Sequence, residues 1–165
     1  MATPALNLPR RGTSVTLAMH KFETISRFIY RKYGPVSAGT RRRAQIIRGS
    51  AQYKLFRARA YRLLTHYVDK GFPEAFYWVL AMRSALPKRT RITLDENPFH
   101  WGLLAMSAAA APVMSSNKLR DLSVQMKQAH AAGVEEDDLE AFIGRSKRDA
   151  QHAAIAAITS GPRRA

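Results

Sequence analysis

The chain has 165 residues, with 27 Lys and Arg against 12 Asp and Glu, a formal net charge of +15, and no cysteine. A hydrophobic share of 46% is enough for one core of ordinary size and argues against wholesale disorder. The missing cysteine removes disulfides, iron–sulfur clusters, Cys-ligated zinc and thiol catalysis together, and no apolar run approaches the roughly 20 residues that span a bilayer.

The first helix is expected from Thr13 or Ser14, either of which can cap it. Its apolar seam is Val15, Ala18, Phe22, Ile25 and Ile29, and its stop is Gly34-Pro35. The first 33 residues contain Glu23 as their only acid and also suit a mitochondrial transit peptide, the less favoured reading. A second helix is expected over residues 40–70. Ile46, Gly49, Tyr53, Phe56, Ala60, Leu63 and Tyr67 alternate by three and four along one face of it. At about 100° per residue, Arg41, Arg48, Arg59 and Arg62 flank that seam on one side, and Arg43, Lys54 and Arg57 on the other. A helix of roughly 30 residues is about 45 Å long, enough to follow a groove, and cations on both flanks suit a clamp on a polyanion.

Pro73 suits the first position of a third helix over 74–86, apolar all round and therefore expected inside a core or between subunits. After the basic loop 87–91, Asn97-Pro98 signals a fourth helix that continues to Pro112. Ser116 or Asn117 can cap a fifth with the seam Leu119, Leu122, Met126 and Ala129 and the stop Gly133. The last helix opens on Glu135, Glu136, Asp137 and Asp138, read as complements to its dipole rather than as metal ligands, and closes before Gly161-Pro162. Sustained period-two alternation is absent. The fold expected is all-α, with a basic helix-turn-helix arm over 1–70 and a helical bundle over 71–165.

Charge separates the two halves. Residues 1–94 hold 19 basic and 3 acidic side chains, residues 95–165 hold 8 and 9, and Arg outnumbers Lys 19 to 8. Arginine is the better bidentate ligand for phosphate, so a one-signed surface of this kind points to a nucleic-acid backbone. The candidate contacts are Arg10, Arg11, Lys21, Arg27, Arg31, Lys32, Arg41, Arg42, Arg43, Arg48, Lys54, Arg57, Arg59 and Arg62, fourteen cations sharing their stretch with the single acid Glu23. Tyr30, Tyr33, Tyr53, Phe56, Tyr61 and Tyr67 interleave with them. Core packing is the favoured use for these rings, base stacking the alternative.

No enzymatic motif emerges. His20, His66, His100, His130 and His152 are scattered, and neither a phosphate-binding glycine loop nor a nucleophile elbow is present. Catalysis, cofactors and metals are accordingly not expected. The organisation resembles the major capsid proteins of archaeal filamentous and rod-shaped viruses. The stretch RFIYRKYG at 27–34 resembles an aromatic and basic string near the start of some members, and ITSGP at 158–162 resembles their Thr/Ser-Gly-Pro ending. The resemblance implies a coat subunit whose helix-turn-helix arm wraps linear double-stranded DNA non-specifically in a virion, with a second copy or a paralogous subunit as neighbour. The alternative is an RNA-binding component of a large particle such as a cytosolic or organellar ribosome.

Overall fold

Ser14 opens the first helix, α1 (Val15–Tyr33), and its hydroxyl accepts the Leu17 N–H at 3.3 Å. The computed structural model describes residues 14–34, 51–88, 91–110 and 115–159, and all of its regular structure is helical. After α1 come α2 (Ala51–Asp69), α3 (Glu74–Met82), α4 (Pro98–Ala110), α5 (Ser116–Ala131), a 3-10 turn (Glu136–Asp138) and α6 (Leu139–Thr159). Residues 40–50 of the expected second helix, with Ile46 and Gly49 of its seam, lie outside the described residues.

Three helix ends share one device. At Gly71 and Gly133 the backbone turns left-handed, with φ of 74° and 66°. The N–H of the next residue, Phe72 or Val134, returns to the carbonyl of Tyr67 or Ala129. Ser84 does the same at φ 51°, with Ala85 N–H bonded to Leu80 O at 2.8 Å. This third stop ends α3 at Met82 rather than at Leu86. It carries no glycine, so the sequence holds no signal for it. α5 is capped by Ser115, one residue before the expected position, through its hydroxyl and Lys118 N–H.

α4 is the central helix. Leu103, Ala105 and Met106 are fully buried, and its small residues let the neighbouring helices come close. A Cβ on Gly102 would meet Leu64 Cδ2 at 2.4 Å and Phe76 Cε2 at 3.2 Å, so α2, α3 and α4 converge where no side chain intervenes. α4, not α3, is therefore the helix enclosed on most sides. α3 buries Ala75, Phe76, Val79 and Leu80 but leaves Tyr77, Trp78 and Met82 facing outward.

α1 and α2 run antiparallel, because Phe22 meets Tyr67 (5.2 Å between ring centres) and Tyr30 meets Phe56 (4.9 Å). Phe56, Ala60, Leu63 and Tyr67 of the expected seam are buried, as are Ala18, Phe22, Ile25 and Ile29 of α1, while Val15 is exposed. These residues join one core with α3 to α6, so the described parts of residues 1–70 pack as layers of the bundle. Tyr30, Phe56, Tyr61 and Tyr67 are packing residues. The tyrosine hydroxyls bond across helices: Tyr67 donates to Ala18 O at 2.7 Å, Tyr61 to Val134 O at 2.8 Å, and Tyr30 pairs with Ser107 Oγ at 2.9 Å.

At the start of α4, Thr93 and Glu96 cap each other's backbone N–H, and Asn97 accepts from His100 N–H ahead of Pro98. Asp95 and Glu96 thus belong to the loop and cap that open α4. Buried Ser123 donates to Arg120 O at 2.7 Å and sits 3.5 Å from His100 Nδ1, joining α4 to α5.

Gly102→Ala is expected to lower unfolding stability by about 1–3 kcal/mol in urea titrations, since fully buried Leu64 has nowhere to retreat. Burial pushes the Tyr30 hydroxyl up to about 12 and raises Tyr61 and Tyr67 as well. A raised folded-state pKa stabilises below the unfolded value, about 10 for tyrosine, and that contribution is lost as pH rises through the folded one. Urea midpoints are thus expected to fall above about pH 10, and less steeply in Tyr67→Phe. His100 is shifted the other way, lowered by burial and then by Arg120, so its contribution is lost as pH drops below about 6.5.

Candidate nucleic-acid interface

Thirteen of the fourteen candidate cations fall into three groups, and Lys21 stands by itself. Arg10, Arg11, Arg41, Arg42, Arg43 and Arg48 lie outside the described residues. Arg57, Arg59 and Arg62 are held by the chain's own acids. Arg57 is 8% exposed, bonds the Glu140 carboxylate, and stands 4.8 Å over the Tyr53 ring. Arg59 and Arg62 share Glu136, at 2.8 and 3.3 Å. Over residues 57–62 the cations on the two flanks of the α2 seam thus meet acids of the chain itself, Arg57 the Glu140 of α6 and Arg59 with Arg62 the Glu136 of the 3-10 turn. Those acids also complement the N-terminal dipole of α6. Their spacing from α2 is tertiary, and sequence periodicity on α2 alone carries no trace of it.

Arg27 is also engaged. Its Nε donates to Ala109 O in the last turn of α4, where a cation complements the negative end of the dipole. Its guanidinium lies 3.8 Å from Glu23, which bonds Arg83, the residue after α3, more closely, at 2.6 Å. Lys21 is half-buried on α1.

Arg31, Lys32 and Lys54 form the third group. All three are exposed, and among the described residues none forms an ion pair. The antiparallel pairing of α1 and α2 brings the last turn of α1, with Arg31 and Lys32, to the end of the bundle where α2 begins, with Lys54. Lys32 Nζ sits 5.5 Å from the Phe28 ring centre and 5.3 Å from that of Tyr33, held over aromatic faces rather than against a carboxylate. The chain leaves this end at Gly34, where a Cβ would meet Tyr30 O at 2.4 Å, and returns at Ala51. The intervening residues 35–50 carry four arginines and no acid.

Among the described residues no group of three or more His, Cys, Asp or Glu side chains is arranged to hold a metal ion, and no helix is long and apolar enough to cross a membrane.

The ion pairs predict an order of stability effects. Glu140→Gln leaves nearly buried Arg57 without its counter-charge and is expected to cost about 2 kcal/mol, below the range for fully buried pairs because Glu140 keeps 25% of its side chain exposed. Glu136→Gln removes the counter-charge of Arg59 and Arg62, which keep 22% and 48% of their side chains exposed against 10% for Arg57, and is expected to cost about 1 kcal/mol. Urea unfolding of the two variants at one ionic strength measures the order.

Comparison with known proteins finds no match for this chain: no family model fits it, and no curated protein or solved structure is similar to it.

Proposed function

We propose that this chain is a structural protein that binds the phosphate backbone of nucleic acid without reading its sequence, using the end of the bundle where α1 gives way to α2. The observation that carries the reading is the gathering of exposed, acid-free Arg31, Lys32 and Lys54 at the end from which the arginine-bearing residues 35–50 depart. Phosphate binding needs cations that are exposed and not already neutralised, and these are the described ones on α1 and α2 that meet both conditions, Lys21 being half-buried. Arg57, Arg59 and Arg62 serve the fold instead.

The narrower form of this reading is a coat subunit on linear double-stranded DNA in a virion filament, with further copies or a paralogous chain as neighbours. The resemblance of the strings at 27–34 and 158–162 to stretches of archaeal filamentous-virus capsid proteins supports it. A second reading, an RNA-binding component of a large ribonucleoprotein particle, draws support from the packing of α1 and α2 into the common core. A globular body with one basic end suits insertion among RNA helices.

Salt dependence tests the shared part. With Arg31, Lys32, Lys54, Arg41, Arg42, Arg43 and Arg48 on phosphates, log K against log salt is expected to have a slope of about −6 on a duplex. Replacing Arg31, Lys32 and Lys54 together by Gln is expected to reduce that slope by about 3 for every sequence alike, with the helical circular dichroism unchanged. A wild-type slope shallower than about −2 contradicts backbone binding. Titration of long linear duplex then separates the two forms. Regular saturation at one subunit per few base pairs supports the coat, and one or two subunits per long molecule supports the particle component.

A further inference from the structure

A second acid-free stretch lies far from the first in sequence. Between Glu74 and Asp95 the chain carries Arg83, Lys88, Arg89 and Arg91 and not one Asp or Glu. It includes α3, whose inward row is sealed in the core while Tyr77 is 40%, Trp78 48% and Met82 76% exposed. The fold has no use for these outward rings, because α3 closes the core with its other side.

The rings are nevertheless fixed. Tyr77 and Trp78 stand edge to face, 5.5 Å between centres and 83° between planes, and Tyr77 lies 6.1 Å from Trp101 of α4. Trp101 is only 8% exposed, and its Nε1 donates to Ile92 O at 3.0 Å. One buried indole thus braces Tyr77 from behind and ties down the chain next to exposed Arg91. Lys88 is also exposed, and among the described residues neither cation is ion-paired. Arg83, by contrast, is committed to Glu23.

We propose that Tyr77 and Trp78 form a stacking platform for unpaired nucleobases, with Lys88 and Arg91 on the flanking phosphates. An aromatic face accepts any base, and neighbouring cations hold the backbone that carries it, which is the combination found where single strands are bound without sequence preference. Self-association fits the patch less well, since a two-fold contact would bring the same unpaired cations of both copies together. The platform is separate from the α1–α2 end and extends the proposed function from paired to unpaired strands.

The test uses the full chain with fluorescein-labelled oligothymidine and oligouridine of equal length, and a duplex as reference. Wild-type protein is expected to bind the single strands saturably, with quenching of tryptophan emission. Tyr77→Leu with Trp78→Leu keeps apolar bulk but removes the stacking faces, and is expected to weaken single-strand binding about tenfold or more while duplex affinity stays unchanged. Lys88→Gln with Arg91→Gln, which leaves the rings intact, is expected to reduce the single-strand salt slope by about 1.4. Preference for uridine or for thymidine strands assigns the source as RNA or DNA. Unchanged single-strand affinity in the leucine variant overturns the platform, and with duplex binding intact it leaves the backbone reading standing. A shift from dimer to monomer in that variant without loss of strand binding, or quenching by anionic vesicles but not by oligonucleotides, assigns the rings to another occupant and likewise overturns the proposal. Absence of wild-type binding to any strand or duplex overturns both readings.

Discussion

The ring contact among Phe22, Tyr67 and Phe76 is the joint on which the arrangement of the helices depends. It brings α1, α2 and α3 within 5.1 to 5.8 Å of one another, measured ring to ring. Tyr67 is fully buried, and its hydroxyl is aimed at the backbone of α1, where it finds Ala18 O. A buried phenol without such a partner would forfeit part of what its ring gains, so the bond fixes where α1 crosses α2 as well as satisfying a donor. Gly102 supplies the complementary condition on the α4 side. Only a missing side chain lets Leu64 and Phe76 approach the central helix so closely.

That geometry decides the fate of the charges. Once α2 lies against the core with Tyr61 reaching Val134, the acidic turn that follows Val134 is carried onto the α2 arginines. Arg57 can be buried because Glu140 neutralises it, and Arg59 and Arg62 share Glu136. A chain of net charge +15 thus spends part of its small stock of acids on one helix. Among the described cations without an ion pair are those at two places, Arg31, Lys32 and Lys54 at the α1–α2 end and Lys88 and Arg91 after α3. Both are places where the sequence has no acid nearby to offer.

The aromatic residues divide in the same manner. On α1 and α2 they interleave with arginines in sequence, yet the helical period turns most of them inward and the cations outward. On α3 the sequence is apolar on every side, and the rings that the core does not take remain on the surface. An aromatic and basic composition therefore means opposite things on the two segments: packing on the first pair of helices, exposure on the third.

Much of the architecture was legible from local rules. The seams of α1, α2 and α5, the Ser14 cap, the glycine stop at Gly133 and the Asn97-Pro98 start all follow from period, capping chemistry and backbone freedom, which act over a few residues. The end of α3 was not legible, because Ser84 adopts a left-handed conformation that its side chain does not announce. The enclosure of α4 rather than α3 was hidden too, since both are apolar and only packing chooses which lies in the middle. Sequence alone determined that positive charge is concentrated in the first half and that it outnumbers the acids there. Which of those cations remain available was decided only by the tertiary structure, because Glu136 and Glu140 lie more than seventy residues along the chain from Arg57, Arg59 and Arg62, and charge pairing depends on distance in space rather than along the sequence.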